Sequence, residues 1–236
     1  MHRPRLTKEE YEHIQRRREG GGGVRVLVVG DLHEPFCLDG YLEFCKEQYD
    51  IYSCNRVIFI GDVVDNHYSS YHEPDPDGFS GGDELALAIF KLKKWYETFP
   101  EADWILGNHC RLVYRKAMSS GLSKRWIRDL NQVLEVPNWK THEELVIDNV
   151  QYLHGEGGTA RTRSKNDLMS TVQGHLHTEA YVHYWVGRNY KIWGMQVGCG
   201  IDAKSYAMAY AKNFKKPAIG CGVVLNGKPM NLMMDL

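Results

Sequence analysis

Three apolar, β-branched runs in the first half of the chain predict buried strands. The runs are residues 24–29, 56–60 and 103–106. Near-continuous apolar runs of this length are typical of strands that are covered on both faces. Between them, apolar positions recur every three to four residues at 38–49 and 83–99, which predicts two helices, the second with Asp83 as its N-cap. This order predicts a parallel or mixed sheet with helices outside it.

The pattern changes in the second half of the chain. Helices are predicted at 111–117 and 123–131, and after Pro137 short alternating segments follow one another closely. The predicted strands are residues 144–147, 150–153, 170–173, 180–185, 190–195 and 218–225. Asn226-Gly227 is a strong hairpin-turn signal. Two sheets packed face to face and flanked by helices fit this order.

The first 23 residues read as an appendage. Residues 7–19 predict a mostly polar helix in which Thr7 and Glu10 have capping-box spacing. Four glycines at 20–23 then form a flexible break. We therefore divide the chain into an N-terminal helical appendage at 1–23 and a single domain at 24–236.

Charge and composition limit the partners only slightly. The formal net charge is −1, so the overall charge attracts neither nucleic acid nor an anionic membrane, although it allows a local basic patch. No apolar run approaches the roughly 20 residues of a membrane span, and no apolar segment follows the basic N-terminus as in a secretory signal. The six cysteines form no CxxC pair, which indicates free thiols in a reducing compartment. A cytoplasmic location is expected.

Five polar clusters carry the candidate chemistry, and most follow directly on an apolar run. In order they are Asp31-Leu32-His33, Gly61-Asp62-Val63-Val64-Asp65, Gly107-Asn108-His109, His154-Gly155 and Gly174-His175-Leu176-His177. Ligand sites in α/β sheets lie beyond the carboxyl ends of strands, so Asp31, Asp62 and Asn108 should converge at one edge. A lone Asp after a strand is usually a turn or cap residue. The ordered set instead predicts a paired-metal site, and its carboxylates and imidazoles suit transition metals better than calcium.

The ordered set resembles the calcineurin-like metallophosphoesterase superfamily, whose pattern is D-x-H, G-D-x-x-D, G-N-H, H and G-H-x-H. The resemblance covers roughly residues 24–200, and within the superfamily the chain looks most like stand-alone phosphoesterases of phages and bacteria. It implies an α/β fold in the form of a four-layer α/β/β/α sandwich. It also implies two divalent transition metal ions, with Mn²⁺ favoured and Fe, Zn, Ni or Co as alternatives.

The resemblance further implies a role for each matched position. The implied ligands are Asp31, His33 and His177 for one metal, Asn108, His154 and His175 for the other, and Asp62 for both. His109 would face the substrate and stabilise the transition state or protonate the leaving oxygen, while a hydroxide that bridges the metals attacks phosphorus in line. Asp65 would orient a ligand from outside the metal shell.

One position departs from the family pattern. Most members carry an acidic residue directly after Gly-Asn-His, where this chain has Cys110. Either another carboxylate orients His109, with Asp65 as one candidate, or His109 is less basic than usual. Arg111 follows, and it either contacts a substrate phosphate or is a solvated arginine at the start of a helix.

Two loops are candidates for substrate contacts. Residues 66–82 form a long loop that is read either as a lid in which His72 contacts a phosphate or base, or as a solvated excursion. The glycine-rich segment 155–165 holds Arg161 among three basic residues; it would cradle a second phosphate or a nucleic-acid backbone, or else form a mobile surface loop. The aromatic stretch at 181–193 favours a core or subunit-interface role over base stacking, which allows a homo-oligomer.

The leading functional hypothesis is a metal-dependent phosphodiesterase acting on a nucleotide or nucleic acid. The alternatives are a phosphomonoesterase, a DNA or RNA nuclease, and a non-catalytic binding scaffold of the same fold. The chain lacks the Arg-Gly that follows the second aspartate in phosphoprotein phosphatases, since Asn66-His67 follows Asp65. The expected partner is a phosphoester substrate rather than a membrane, in the cytoplasm, or in the host cytoplasm if the chain is phage-encoded.

Overall fold

The computed structural model describes residues 7–8, 23–71, 77–210 and 215–235, which alternate strand and helix in the first half and are strand-rich in the second. The strands are β1 (Arg25–Val29), β2 (Arg56–Phe59), β3 (Asp103–Ile105), β4 (Lys140–His142), β5 (Glu144–Ile147), β6 (Val150–Leu153), β7 (Ser170–Gln173), β8 (Tyr181–Val186), β9 (Lys191–Gln196), β10 (Gly220–Leu225) and β11 (Lys228–Met233). The helices are α1 (Tyr41–Ile51), α2 (Gly81–Thr98), α3 (Leu112–Ser119), α4 (Leu130–Val133), α5 (Ala160–Asp167) and α6 (Ala203–Tyr210). Short 3₁₀ helices lie at His67–Ser69 and Lys124–Trp126.

The strands form two mixed sheets. The first has the order β11-β10-β1-β2-β3-β4, in which β1 to β4 are parallel and the β10–β11 hairpin is antiparallel. The second has the order β5-β6-β7-β9-β8, with β6, β7 and β9 parallel and an antiparallel strand at each edge. The parallel strands of each sheet therefore end at a common edge, where loops can bring side chains together.

Alternating side chains of β1 show why all of its residues after Arg25 are apolar. Leu27 and Val29 pack in the core beneath the helices, whereas Val26 and Val28 pack in the core between the two sheets. Successive residues of a strand point to opposite faces, so a strand between two apolar layers has no polar position. The strand β2 alternates in the same way.

Helices cover both outer faces of the paired sheets. Tyr41 and Cys45 of α1 and Leu92 and Trp95 of α2 are buried in the core on the outer side of the first sheet. The helix α5 packs against β7 and β9 of the second sheet. The layers therefore follow the order helix, sheet, sheet, helix, which confirms the predicted α/β/β/α sandwich.

Most predicted elements are present, with ends that differ by a few residues. Ser80, rather than Asp83, caps α2, because the Ser80 hydroxyl accepts a hydrogen bond from the Asp83 N–H. The predicted helix at 123–131 is wrong: a 3₁₀ turn and the single turn of α4 lie there instead, separated by extended residues. The strands β4 and β11 and the helix α6 were not predicted.

The predicted appendage lies almost entirely outside the described residues. The helix at 7–19 and the domain boundary at residue 23 therefore stay predictions. Within the described ranges, no helix combines the length and apolar character that crossing a bilayer requires.

Candidate metal centre

Five strands of the two sheets end at the candidate centre. Asp31, Asp62 and Asn108 follow β1, β2 and β3 of the first sheet, each after a glycine. His154 follows β6 of the second sheet directly, and the His175-x-His177 pair follows β7. The first sheet therefore supplies Asp31, Asp62 and Asn108 at one edge, as the strand order predicts. The second sheet supplies the imidazoles of His154, His175 and His177.

Two of the glycines leave space that a side chain would fill. A Cβ atom at Gly61 would lie 1.9 Å from His154 Nδ1, and Gly61 has a φ of 142°. A Cβ atom at Gly107 would lie 2.1 Å from Asp62 Oδ1. Both distances are shorter than any van der Waals contact, so these positions accept only glycine without displacing a site residue.

Three candidate ligands lie in strained turns. The φ angles are 51° at His33, 32° at Asp62 and 72° at His175. Positive φ is uncommon for residues other than glycine, and it persists where the surrounding structure fixes it. The strained backbone lets these side chains turn back toward the centre.

The first ligand group comprises Asp31, His33 and His177. The Nδ1 atom of His33 lies 2.5 Å from Asp65 Oδ1, so this nitrogen carries the ring proton and Nε2 presents its lone pair. His33 Nε2 lies 3.2 Å from His177 Nε2, which lies 3.3 Å from Asp31 Oδ2. Asp31 Oδ1 has no hydrogen-bond donor among the described residues. The three side chains direct acceptor atoms at one point.

The second ligand group comprises Asp62, Asn108, His154 and His175. The Nδ1 atom of His154 lies 3.3 Å from the carbonyl oxygen of Ile60, which places the proton of a neutral ring on Nδ1. His154 Nε2 then faces Asn108 Oδ1 at 2.9 Å and Asp62 Oδ2 at 3.0 Å. A ligand atom of His175 lies within 4.8 Å of those of Asp62 and His154.

Asp62 belongs to both groups. Its Oδ1 atom accepts a 2.8 Å hydrogen bond from the backbone N–H of His109. Its Oδ2 atom lies 3.0 Å from His154 Nε2 and 3.8 Å from His33 Nε2, and it has no hydrogen-bond donor among the described residues. One carboxylate oxygen therefore faces both sets of acceptors.

These donor atoms fit two divalent cations. Carboxylate oxygens, an amide oxygen and imidazole lone pairs face one another in a buried space, an arrangement that is costly unless positive charge lies between them. The pKa of His154 also reflects the negative charge at this position. Burial lowers this pKa, but the charges of Asp62 and Asp31 raise it to about 9. Mixed oxygen and imidazole ligands are those that Mn, Fe, Zn, Co and Ni share.

Asp65 connects the first ligand group to His109. Its carboxylate contacts Nδ1 of His33 and lies 3.2 Å from Nδ1 of His109, and its carbonyl oxygen lies 2.7 Å from that same His109 nitrogen. Burial raises the pKa of Asp65, but the hydrogen bonds from the two histidines hold it well below its usual range. Cys110 is fully buried, and burial raises the pKa of its thiol to about 12. The carboxylate beside His109 is therefore Asp65, and the residue after His109 is an uncharged thiol.

The family model for calcineurin-like phosphoesterases matches residues 24–195. The chain belongs to this family. Members of the family bind two divalent metals and act on phosphoesters, and membership supports a hydrolase. No match was found among curated proteins.

Several solved structures of the family are similar to this chain at low identity. A Vps29 single mutant from Entamoeba histolytica is 12% identical over 90% of this chain and 99% of its own, with a TM-score of 0.39. The nuclease MPE from Pseudomonas putida is 14% identical over 89% and 87%, with a TM-score of 0.40. Vacuolar protein sorting 29 from Cryptosporidium parvum is 14% identical over 91% and 98%, with a TM-score of 0.41.

The three residues predicted to contact substrate lie in different surroundings. The Arg111 guanidinium pairs with Glu143 and Glu156, so it is neither free nor fully solvated. Arg161 lies in the first turn of α5, with its guanidinium 5.0 Å from the centre of the Tyr181 ring. His72 lies outside the described residues.

Part of each candidate loop is ordered. The segment predicted as a loop at 155–165 ends in α5, which begins at Ala160, so a mobile loop throughout is wrong. The Gln173 side chain donates to the carbonyl oxygens of Gly155 and Gly158 and holds the turn before that helix. The segment 66–82 begins with the 3₁₀ helix at His67–Ser69, and its role as a lid stays a prediction.

The sequence does not predict the two buried residues that anchor the segment 66–82, which are His67 and Glu84. His67 Nδ1 lies 2.7 Å from Glu84 Oε2, and the Glu84 carboxylate also accepts the backbone N–H groups of His67 and Tyr68. A glutamate in the first turn of a helix looks like a surface residue. The available signal was the position of His67, two residues after Asp65.

A cavity of about 340 Å³ beside His177 was also missed. Ile201, Tyr206, Lys215 and Pro217 contribute to its lining, and all four follow the last residue that the family model matches. The Tyr206 ring stands edge-on to the His33 ring at 5.2 Å between centroids. The cavity therefore adjoins the first ligand group.

Replacing Gly107 should disrupt the candidate metal centre, because a side chain at this position would collide with Asp62. Gly107→Ala is expected to displace Asp62, to lower the free energy of unfolding by about 1–3 kcal/mol, and to reduce the bound metal at least tenfold. Metal analysis and thermal unfolding measure these effects.

Gly158→Ala is the matched control, because nothing lies within 4 Å of a Cβ atom at that position. Full metal content in Gly107→Ala would contradict the close approach described above.

Proposed function

We propose that this chain is a dinuclear-metal-dependent phosphodiesterase that hydrolyses a nucleotide or nucleic-acid phosphoester. The observation that carries the proposal is the position of Asp62 Oδ2, 3.0 Å from His154 Nε2 and 3.8 Å from His33 Nε2. A carboxylate oxygen shared by two groups of acceptors supports a pair of ions rather than one. Family membership supports phosphoester hydrolysis as the reaction class.

The metal ligands are those that the sequence pattern names. They are Asp31, His33 and His177 on one side, Asn108, His154 and His175 on the other, and Asp62 between them. When bound, two divalent cations lower the pKa of a water molecule and neutralise charge on the phosphate oxygens. Asn108 contributes a neutral oxygen, which limits the negative charge that an incoming phosphate meets.

His109 is the proton donor in this proposal. Both contacts of its Nδ1 atom are acceptor atoms of Asp65, so Nδ1 carries a proton. Burial lowers the pKa of His109, but the hydrogen bond to Asp65 and the charges of Asp62 and Asp65 raise it to about 10. Nε2 is therefore protonated near neutral pH, and the side chain is 17% exposed. That proton can move to the departing alkoxide, which is a poor leaving group without it.

Asp65 acts through the two histidines. Its carboxylate fixes the tautomer of His33 and keeps His109 protonated, as carboxylates outside a metal shell commonly do. It takes the place of the acidic residue that Cys110 replaces.

The cavity beside His177 supports a diester substrate. A diester carries a second organic group on phosphorus, and about 340 Å³ next to a metal ligand can receive one. Lys215 in the lining can pair with a further anionic group of a nucleotide. A monoester carries only one organic group.

Hydrolysis of model esters tests the proposal. With Mn²⁺ added, bis(p-nitrophenyl) phosphate should be hydrolysed with a higher kcat/KM than p-nitrophenyl phosphate. Asp62→Asn and His109→Ala should each lower kcat for the diester by about 10²–10⁴-fold, as expected for loss of a metal ligand or a general acid.

Faster hydrolysis of the monoester would make the protein a phosphomonoesterase. An inert protein that nevertheless binds metal would support a binding scaffold. Unchanged activity of His109→Ala would refute the role assigned to His109.

Removing the Asp65 carboxylate should change the pH profile. Asp65 raises the pKa of His109, and a general acid is lost as pH rises through its pKa. Asp65→Asn should therefore move the alkaline limb of kcat/KM to lower pH by at least about one unit and lower kcat about 10–100-fold. The profile is measured at saturating Mn²⁺, because His33 also loses a partner.

Cys110→Ala is the control for this effect. The thiol is uncharged, so its removal should leave the alkaline limb in place. A shifted limb in Cys110→Ala, or an unshifted one in Asp65→Asn, would show that Asp65 does not set the pKa of His109.

A further inference from the structure

Residues 111–128 hold an unusual concentration of positive charge. The basic residues are Arg111, Arg115, Lys116, Lys124, Arg125 and Arg128, and the segment contains no Asp or Glu. The whole chain has a net charge of −1, so this excess is local. Clustered charge of one sign costs folding energy through repulsion, and it attracts polyanions.

The basic residues lie on one continuous surface. Arg115 and Lys116 belong to α3, and the 3₁₀ helix at Lys124–Trp126 packs against that helix. The Tyr114 hydroxyl of α3 donates to the carbonyl oxygen of Arg128 at 3.2 Å, and its ring lies 5.9 Å from the Lys124 ammonium. We call Arg115, Lys116, Lys124, Arg125, Trp126 and Arg128 the basic face.

The basic face begins at the metal centre. The helix α3 starts three residues after His109, and it contacts the 3₁₀ helix at His67–Ser69 that follows Asp65. Arg111, at the start of α3, pairs with Glu156 in the turn after His154. A chain of phosphates lying on the basic face would therefore continue toward the ligand groups.

The cations of this face form no salt bridge with a described carboxylate, although Asp129 lies near Tyr114. Among the described residues, none of its five cations pairs with Asp or Glu. Arg115 and Lys116 instead lie 5.3 Å and 5.2 Å from the centre of the Tyr71 ring, which leaves their charge intact.

Trp126 is the most exposed large apolar side chain of the described residues, at 82%. It lies between Arg125 and Arg128 in the sequence, so the exposed ring belongs to the same short segment as two guanidinium groups. Aromatic rings among cations are the usual means of binding single-stranded nucleic acid, because the rings stack on bases while the cations contact phosphates. The bases of a duplex are already stacked on one another, so they present no free face on which Trp126 could stack.

We propose that the basic face binds a single-stranded nucleic acid and leads it to the metal centre. This rests on the proposed function and narrows its substrate to a strand rather than a free nucleotide. A second copy of the chain is a poor occupant, since a symmetric contact would place this face against itself and bring like charges together.

Binding of a labelled strand tests the proposal. The probe is a fluorescent oligothymidylate of about 20 nucleotides with phosphorothioate linkages, which keep the charge and resist cleavage. Fluorescence anisotropy is measured with the full-length Mn²⁺-loaded protein at about 50 and 200 mM salt. Arg115→Glu/Arg125→Glu should weaken binding at least tenfold and reduce the salt dependence, because fewer phosphates are contacted. Trp126→Ala should weaken binding several-fold with the salt dependence unchanged.

Lys94→Glu/Lys228→Glu is the matched control. Both lysines are exposed and lie outside the basic face, and the net charge changes by the same amount. This variant should bind like the wild type. Turnover of bis(p-nitrophenyl) phosphate should be unchanged in all three variants, since none of these residues belongs to the metal centre. Cooperative thermal unfolding checks that each variant is folded.

Weak binding of the strand by the wild type would overturn the proposal. So would a loss of affinity in Lys94→Glu/Lys228→Glu equal to that in Arg115→Glu/Arg125→Glu. Equal affinity for polyglutamate or tighter binding to vesicles of anionic phospholipid would also overturn it. If the wild type does not hydrolyse bis(p-nitrophenyl) phosphate but binds the strand through this face, the nucleic-acid surface stands and the proposed function fails. If it hydrolyses the ester but does not bind the strand, only the surface is wrong.

Discussion

The buried carboxylate of Asp62 is the constraint on which the rest of this structure depends. One of its oxygens is fixed by the backbone N–H of His109, and the other faces His154 and His33 without a hydrogen-bond donor among the described residues. Acceptors that face one another in a dry space are unfavourable unless positive charge joins them. The architecture around Asp62, from the strained turns to the glycine at 107, keeps this arrangement in place.

The same constraint explains how the family chemistry tolerates Cys110. A proton donor near two cations needs a negative neighbour, because cations lower the pKa of a nearby imidazole. Asp65 supplies that charge from the loop after β2, and it holds His33 with the same carboxylate. The proposed roles of His33 as a metal ligand and of His109 as a proton donor are thereby coupled through one buried residue. Under this proposal, an acidic residue at position 110 is not needed.

The sequence predicts the strands and the convergence of Asp31, Asp62 and Asn108 at one sheet edge well, because both signals are local. Apolar runs such as 24–29 determine strands, and a polar residue directly after such a run lies at the sheet edge whatever the rest of the chain does. The contact of Asp65 with His109 is one of two alternatives that the sequence leaves open. The choice depends on how the loop after β2 lies against α3, which the sequence does not give.

Other features depend on tertiary contacts that leave no local pattern. Glu84 has the sequence signature of an exposed helix start, yet it is buried by the loop that it holds. The strand β4 has three residues, Lys140 to His142, none of them apolar and two of them exposed, so it has no apolar pattern to recognise. The basic face joins residues of α3 to the 3₁₀ turn at Lys124–Trp126, where the sequence predicts a longer helix at 123–131. The net charge of the whole chain is −1, so the composition gives no sign of this basic face.

The central claim is that Asp62 joins two metal sites, and electron paramagnetic resonance of the Mn²⁺-loaded protein tests it most directly. If Asp62 joins the two sites, the wild type should bind two ions for each chain and give an exchange-coupled spectrum. In Asp62→Ala, the coupling should be lost along with at least one ion. A wild-type protein that binds one ion, or two ions with uncoupled spectra, would contradict the account.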